Sequence, residues 1–195
     1  SSITERTFCG SGAATGYFMT LGESSGMDPE SFVHAKYIVI WACNSISTNL
    51  HHWPFIAEAQ RKGAKVVVID PVRTRTAKKA DWHLAIRPGT DAALALGMMH
   101  VIIDEGLADD DYVACYTTGF DALKARAAEY PPDKVAEITG LDANDIRQVA
   151  REFAGAQPAA IRMGIAIERC PGGGQAARAL SSLPALVGAW RKPGG

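Results

Sequence analysis

The sequence lacks the cysteine patterns of a disulfide framework, a zinc site or an iron–sulfur cluster. Its 195 residues include four widely spaced cysteines, and none belongs to a Cys-x-x-Cys pair. Zinc sites and clusters usually draw ligands from cysteines a few residues apart. We therefore expect most of these thiols to be buried or free. The four are Cys9, Cys43, Cys115 and Cys170.

Long apolar runs are also missing. The longest, such as residues 37–43, are far shorter than the roughly 20 residues that cross a bilayer, so no membrane segment is predicted. The formal net charge is −1, and no basic stretch carries interleaved aromatic residues, which argues against a nucleic-acid partner. The first residues show no charged-then-apolar leader, so we expect a cytoplasmic protein, with the periplasm as the alternative if a leader is missing.

No phosphate-binding glycine motif is present either. Residues 9–16 (CGSGAATG) do not have Gly-x-Gly-x-x-Gly spacing, no lysine follows them as in a P-loop, and no strand precedes them. The glycines at 172–174 are more typical of a flexible turn.

What the sequence does contain is an alternation of β-branched apolar runs with helical patterns. This alternation predicts an α/β fold, a Rossmann-like parallel sheet with helices on both faces and a helical C-terminal part. The predicted strands are 37–41, 65–69, 82–86 and 159–167. The main predicted helices are 53–62, 92–105, 141–153 and one that begins near residue 171 and is kinked or divided by Pro184.

The same pattern predicts four parts of the chain. Residues 1–36 form a leading segment, 37–106 a nucleotide-binding α/β core, and 107–158 a helical insertion. Residues 159–195 return to the core with a strand and a helix, and the final KPGG is expected to be a cut within a glycine-rich connection.

Polar residues follow three of the predicted strands. Ligands of open parallel sheets bind outside the carboxyl ends of the strands, so these residues are the candidate site. They offer amide, hydroxyl, guanidinium and carboxylate groups, which together suit a nucleotide. The residues are Cys43, Asn44 and Ser45 after the first strand, Asp70, Pro71, Arg73 and Thr74 after the second, and Gly89, Thr90 and Asp91 after the third.

Two of these residues have specific expected roles. Asp70 stands where the acidic residue of a dinucleotide fold binds ribose hydroxyls. Asp91 could accept two parallel N–H bonds from the Watson–Crick edge of guanine, an arrangement that adenine lacks. Both residues could instead be helix and turn caps. Residues 61–87, with eight basic residues against two aspartates, are either an anion-binding edge or a solvated surface.

Cys9 is the one thiol in a setting of small residues and glycine. A thiolate there could bind a soft metal or act as a nucleophile, and the alternative is a buried structural cysteine. The sequence places no carboxylate at ligand spacing from His51, His52 or His83, which we interpret as loop or core histidines.

Several segments, in order, resemble the molybdopterin oxidoreductases of the dimethyl sulfoxide reductase type, which include formate dehydrogenases and nitrate reductases. The resemblance covers nearly the whole chain. The segments are residues 38–44 (IVIWACN), 68–77 (VIDPVRTRTA), 80–81 (AD), 87–94 (RPGTDAAL), 106–107 (GL), 118–120 (TGF), 138–140 (ITG) and 183–188 (LPALVG).

The resemblance implies specific contacts with a cofactor. In that family the Asn-containing turn, the Asp-Pro-x-x-Thr segment and the Gly-Thr-Asp turn contact a molybdopterin guanine dinucleotide. This implies cofactor contacts for Trp41 and the ten strand-end residues above, and for Met163 and Gly164 near the pterin. Cys9 lies about where the family supplies a protein ligand to molybdenum, which implies a metal-binding and catalytic role.

The resemblance also implies the activity. We expect a segment of a molybdenum-dependent oxidoreductase, formate dehydrogenase-like or oxyanion reductase-like, that holds molybdenum bis(molybdopterin guanine dinucleotide). A 4Fe-4S cluster is expected only in a missing N-terminal region, and the isolated chain is expected to be inactive. The expected partners are a small-molecule substrate, the remaining domains of the enzyme and an electron-transfer subunit. The alternatives are an NAD(P)-dependent dehydrogenase and a non-catalytic nucleotide- or protein-binding domain.

Overall fold

A computed structural model of the chain describes residues 10–23 and 26–195. The strands are β1 (Tyr37–Trp41), β2 (Lys65–Ile69), β3 (Trp82–Leu84) and β4 (Ala159–Met163). The α-helices are α1 (Ser11–Leu21), α2 (Ser45–Thr48), α3 (Trp53–Arg61), α4 (Asp91–Asp104), α5 (Asp110–Tyr116), α6 (Phe120–Ala128), α7 (Pro132–Thr139), α8 (Ala143–Gly155) and α9 (Gly173–Leu186). Shorter 3-10 helices cover Pro29–His34, Ile165–Arg169 and Ala189–Arg191.

The four strands form one parallel sheet in the order β3-β2-β1-β4. Trp41, the last residue of β1, lies opposite Ile69 of β2 and Met163 of β4. The chain therefore builds outward from β1 through β2 and β3, and later returns to the other side of β1 with β4. The strand order reverses between β1 and β4, which is where open α/β sheets bind their ligands.

Helices cover both faces of the sheet. Val39 and Val67 face a core shared with α4, α8 and α9, whereas Ile38 and Val66 face a second core shared with α3 and Pro29–His34. The alternation follows from the two-residue period of a strand, which sends successive side chains to opposite faces. The predicted parallel α/β sheet with helices on both faces is confirmed. The division into four parts stays a prediction.

Two strand predictions were too long. The third strand ends at Leu84 rather than residue 86, because the Ile86 N–H turns back to the Leu84 carbonyl at 3.1 Å. The fourth ends at Met163 rather than residue 167. Its neighbour β1 stops at Trp41, so the chain has no further strand to pair with and continues as a 3-10 helix.

Two helix predictions also need correction. Pro184 neither divides nor ends α9, which is assigned as one helix through Leu186. No helix was predicted at residues 11–21, where the structure has α1. A Cβ atom added at Gly16 would come within 2.5 Å of the Gly174 carbonyl oxygen, so glycine permits α1 to pack directly on α9. Tertiary contact overrides the poor helix propensity of glycine here.

Two negative findings concern only residues 10–23 and 26–195. No helix in these ranges is both long enough and apolar enough to cross a membrane. Nor do three or more histidine, cysteine, aspartate or glutamate side chains gather there in a group that could hold a metal ion.

A polar network centred on Glu152 lies at the amino edge of the sheet. The Glu152 carboxylate accepts hydrogen bonds from Lys65 Nζ at 2.6 and 2.8 Å, Tyr37 Oη at 2.9 Å and Gln148 Nε2 at 2.9 Å. Burial raises the pKa of Glu152, but these hydrogen bonds and the Lys65 charge outweigh it and hold the pKa below its usual value.

We expect the Glu152→Gln variant to lose roughly 1–2 kcal/mol of unfolding free energy at neutral pH, because Lys65 would lose its charged partner. The folded-state pKa of Glu152 is lowered, so its stabilisation is present above the unfolded-state pKa and is lost as pH falls through the folded-state pKa. Urea unfolding across this range should show the difference between wild type and variant shrinking towards acid pH. A constant difference would contradict the assignment.

Candidate functional site

The residues that directly follow β1 and β4 pack tightly against each other. Ala42, directly after β1, has a φ of 52°, which is uncommon for a residue with a side chain. Gly164, directly after β4, donates its N–H to the Trp41 carbonyl at 2.7 Å. A Cβ atom at position 164 would lie 1.9 Å from the Ala42 oxygen and 2.8 Å from Cys43 Cβ. Only glycine allows this approach, so the expected cofactor residue Gly164 shapes the backbone at the point where the strand order reverses.

Asp91 is tied to the first strand. Trp41 Nε1 donates to Asp91 Oδ1 at 2.8 Å, and Asp91 is only 8% exposed at the first residue of α4. Burial raises the pKa of Asp91 and the negative charge of Asp70 adds to the rise, whereas hydrogen bonds from Trp41 and the backbone oppose it. The structure thus brings together Trp41 at the end of β1, Asp70 after β2 and Asp91 after β3.

Asn44 is oriented by a residue that the sequence analysis did not include in the site. The buried Thr76 donates its hydroxyl to Asn44 Oδ1 at 2.8 Å and accepts the N–H of Ile46 at 3.1 Å. This arrangement turns the Asn44 amide group, whose nitrogen has no hydrogen-bond partner among the described residues, away from Thr76. In the sequence, only the position of Thr76 within the family-like segment 68–77 could have indicated that it belongs to the site.

We expect Thr76→Val to lower the free energy of unfolding by about 1–3 kcal/mol, because the variant leaves the Ile46 N–H without its acceptor while keeping the side-chain shape. Thr76→Ser retains the hydroxyl and is the matched control, with a smaller loss. Denaturant unfolding of both variants measures the effect. Equal losses would show that the methyl group, rather than the hydroxyl, matters.

The side chains of Cys43 and Ser45 are directed into the protein. Both residues are buried, and their Sγ and Oγ atoms lie 3.6 Å apart. Met163, at the end of β4, is half-buried. Any contact from Cys43 or Ser45 to a bound molecule would therefore come from the backbone of the turn.

The loop after β2 is mostly exposed. Asp70 Oδ1 accepts the N–H of Val72 at 2.8 Å, and Thr74 Oγ1 accepts the N–H of Ala77 at 3.1 Å, so both side chains act as turn or helix caps. Pro71 and Arg73 are exposed. Within the described part of the chain, Arg73 has no hydrogen-bond or ion-pair partner, which leaves its guanidinium available to an anion.

The loop after β3 packs against the segment that follows β4. Gly89 has a φ of 78°, and a Cβ atom added there would lie 3.3 Å from Cys170 Cβ. Thr90 donates its hydroxyl to the Arg87 carbonyl at 2.7 Å, so this hydroxyl is already engaged. The three strand-end loops therefore share the carboxyl edge of the sheet with the chain after β4.

Cys9 lies outside the described residues, so its expected role as a metal ligand stays a prediction. Its described neighbour Gly10 and the nearby Ala13 donate their N–H groups to the carboxylate of Glu168. Sequence reasoning missed Glu168, because nothing in its local pattern marks a partner 158 residues away.

The interpretation of His52 as a core histidine is confirmed. His52 is 2% exposed, and neither ring nitrogen has a hydrogen-bond partner within residues 10–23 and 26–195. Burial, assisted by the charge of Arg162, lowers the pKa of His52 to about 4, so the ring is neutral at physiological pH. It borders a cavity of about 680 Å³ that runs along the outer side of β4.

Comparison with known proteins identifies the family of the chain. Residues 6–195 match the family model described as molybdopterin oxidoreductase. The chain is 41% identical over 195 residues to the probable oxidoreductase YoaE of Bacillus subtilis (strain 168), a match that covers 100% of this chain and 29% of that protein. It is 41% identical over 138 residues to formate dehydrogenase H of Escherichia coli (strain K12), covering 71% of this chain and 19% of that protein.

A solved structure shows the same fold. Acetylene hydratase from Pelobacter acetylenicus superposes with a TM-score of 0.84 at 39% sequence identity, and the match covers 91% of this chain and 24% of that one. The chain thus spans less than a third of the length of each of these three proteins. The family match extends over almost every residue, and the chain belongs to the molybdopterin oxidoreductase family.

Proposed function

We propose that the carboxyl edge of this sheet binds one guanine dinucleotide end of a molybdenum bis(molybdopterin guanine dinucleotide) cofactor in a molybdenum-dependent oxidoreductase. The observation that carries the proposal is the shared arrangement of Asn44, Asp70 and Asp91. One oxygen of each side chain accepts a hydrogen bond from the protein. Asn44 accepts from Thr76, Asp70 from the Val72 N–H, and Asp91 from Trp41. The remaining polar atoms of Asn44 and Asp70 have no hydrogen-bond partner among the described residues, and the Asp91 carboxylate, which also accepts a backbone N–H, keeps unused lone pairs.

The chemistry of these groups fits the parts of a guanine dinucleotide. Guanine presents two adjacent N–H donors, and the unused lone pairs of the Asp91 carboxylate can accept both beside the hydrogen bond from Trp41. Asp70 suits ribose hydroxyls, and the unpartnered Arg73 suits a phosphate because its guanidinium provides a fork of charged donors. Gly164 allows the backbone after β4 to pack directly on Ala42, which shapes the edge of the sheet at the point where the strand order reverses.

In this proposal the chain binds and orients the cofactor, and the cofactor supplies the redox chemistry when bound. Trp41 fixes the Asp91 carboxylate, and Thr76 fixes the Asn44 amide, so neither has to be ordered by the ligand. Cys9 is proposed as the protein ligand to molybdenum. The substrate, the remaining domains, an electron-transfer subunit, an upstream 4Fe-4S cluster and a cytoplasmic location are parts of the same proposal for the whole enzyme.

The test uses the full-length enzyme purified under anoxic conditions. Molybdenum is measured by mass spectrometry, and the nucleotide released by acid hydrolysis is identified by chromatography. We expect molybdenum together with two equivalents of GMP. Protein without molybdenum, or with a nucleotide other than GMP, would overturn the proposal, and saturable NAD binding would favour the dehydrogenase alternative.

We expect Asp91→Asn to weaken guanine nucleotide binding by roughly tenfold to a hundredfold, corresponding to about 1–3 kcal/mol. The asparagine oxygen can still accept the Trp41 N–H, but its amide donor would face the guanine donors. The unfolding free energy at neutral pH should stay equal or rise, because burial raises the pKa of Asp91 and so disfavours its charged form. Equilibrium binding of GMP and urea unfolding measure the two effects.

The matched control is Asp133→Asn, since the Asp133 side chain is 79% exposed on α7. In the wild type, GMP binding should weaken as pH falls through the raised pKa of Asp91, beginning at a higher pH than an ordinary aspartate would give. Unchanged GMP affinity in Asp91→Asn would refute the guanine-binding role.

A further inference from the structure

Strand β4 forms one edge of the sheet, because β1 is its only strand neighbour in the described part of the chain. Gly164, directly after β4, donates its N–H to Trp41 of β1 at 2.7 Å. The peptide groups of successive residues alternate between the two sides of a strand. The N–H and C=O groups of Ala159, Ile161 and Met163 therefore point away from β1, along the outer side of β4.

The two ends of this outer side are closed by side chains, and its middle is open. Gln157 Oε1 accepts the N–H of Ala159 at 3.2 Å, and Arg162 donates to the carbonyl of Met163. Between these contacts, neither backbone group of Ile161 that points outward has a hydrogen-bond partner among the described residues. Unpaired backbone groups of an edge strand can pair with another extended segment.

The sequence of β4 does not protect this edge. Exposed edge strands are usually very short, or carry proline, lysine or a bulge that prevents further pairing. The opposite edge, β3, is three residues long, whereas β4 has five residues in continuous register with β1. It contains no proline, and Arg162 is its one charged residue. This composition is typical of a strand inside a parallel sheet rather than at its edge.

The cavity of about 680 Å³ beside β4 resembles an uncovered core. Its lining includes Phe32, Leu180 and Trp190, and the Trp190 side chain is 42% exposed. His52 borders the same cavity, and both of its ring nitrogens are buried without a hydrogen-bond partner among the described residues. Because buried polar groups are nearly always hydrogen-bonded, the His52 ring indicates a polar partner from outside these residues.

Arg162 gives the cavity a positive charge. It is half-buried in the lining and forms no ion pair within the described ranges. Glu23 also lines the cavity but does not pair with it. A guanidinium in such a place is best matched by a carboxylate, which can accept two parallel N–H bonds. The cavity therefore fits an extended segment with apolar side chains and an acidic residue opposite Arg162.

We infer that an extended segment of the same polypeptide, from outside residues 1–195, pairs with β4 as a further strand and fills this cavity. Main-chain hydrogen bonds to Ile161 hold the segment, and the cavity selects its side chains. The chain spans less than a third of each of the three relatives above, which supports the same polypeptide as the source. The inference rests on the proposed function, in which the chain works as part of a longer enzyme.

The first test identifies the occupant in the full-length enzyme. The photo-cross-linking residue benzoylphenylalanine replaces Trp190, and mass spectrometry of tryptic peptides after irradiation shows what lies in the cavity. We expect a cross-link within one polypeptide to a peptide outside residues 1–195. A cross-link to a second copy or to another protein, a cross-link to residues 1–195 only, or no cross-link would overturn the inference.

The second test examines the strand pairing and adds Ile161→Pro to the photo-cross-linking enzyme. Proline removes the outward N–H, a change that a free edge tolerates and a paired edge does not. We expect the cross-link yield to fall by about tenfold or more, reflecting the lost hydrogen bond and the distorted pairing. Ile161→Ala is the matched control, because it shortens the side chain but keeps the N–H. Equal yields in the two variants would contradict the pairing, and the first test stands by itself if the proline variant does not fold.

The molybdenum and GMP contents of the same preparation separate this inference from the proposed function. If the cross-link forms in enzyme that holds neither molybdenum nor GMP, the cofactor proposal is wrong and the strand pairing is supported. If molybdenum and GMP are present but the cross-link does not form, the strand pairing is wrong and the cofactor proposal is unaffected.

Discussion

Replacing Gly164 with alanine should prevent stable folding of the sheet. The added Cβ would lie 1.9 Å from the carbonyl oxygen and 2.6 Å from the carbonyl carbon of Ala42, and both atoms are backbone. No side-chain rotation relieves such an overlap, so β1 and β4 would have to separate at their carboxyl ends. The Gly164 N–H would then lose its bond to the Trp41 carbonyl. We expect a loss of more than roughly 4 kcal/mol, a large share of the stability of a typical domain.

Gly155→Ala is the matched control for this substitution. Gly155 is the last residue of α8, is exposed, and a Cβ atom there would meet nothing within 4 Å. Alanine should be neutral there or stabilise the protein by up to about 1 kcal/mol through the unfolded state. Soluble yield and denaturant unfolding distinguish the two variants. A Gly164→Ala protein as stable as the control would refute the close approach of the two strand ends.

Truncating Phe153 to alanine should cost about 3–5 kcal/mol of unfolding free energy. The ring is fully buried between α8 and the sheet, in edge-to-face contact with Tyr37 at a centroid distance of 6.4 Å. The loss combines removal of apolar surface from the core with the cavity that remains. Chemical denaturation measures this loss directly.

Phe153→Leu provides the comparison, because it keeps most of the buried volume and should cost less than about 1.5 kcal/mol. Tyr37 also donates to Glu152, so a collapse of the cavity that moved Tyr37 would disturb the network at the amino edge. Equal stability of the alanine and leucine variants would show that the site relaxes fully.

Much of the fold follows from local pattern. Residues 37–41 and 66–69 are apolar and buried, as strands covered on both faces must be, and the predicted strands 37–41 and 65–69 are confirmed without change. The side chains of Asp109 and Asp142 cap α5 and α8, each by accepting a backbone N–H of the first helical turn. The errors at residue 86 and residue 167 have one cause, since a strand ends where its neighbour ends, and this is not a local property.

The candidate site was only partly predictable. The residues after β1, β2 and β3 could be named because the rule for parallel sheets uses strand ends alone. Their roles could not, because each depends on a partner elsewhere. The local sequence around Thr76 and Glu168 does not indicate a function for either residue. Ser45, the first residue of α2, is buried, which its polar sequence neighbours do not indicate.

The sequence by itself determined the order of the four strands, the main helices between them, the parallel sheet and the edge that carries the polar residues, because hydrophobic period and turn chemistry act over a few neighbouring residues. Only the tertiary structure decided which side chains meet at that edge. Trp41 and Asp91 are 50 residues apart, Asn44 and Thr76 are 32 apart, and Gly10 and Glu168 are 158 apart. These pairs form because the reversal of strand order beside β1 and the close contact of α1 with α9 bring distant segments together, and no local pattern records that geometry.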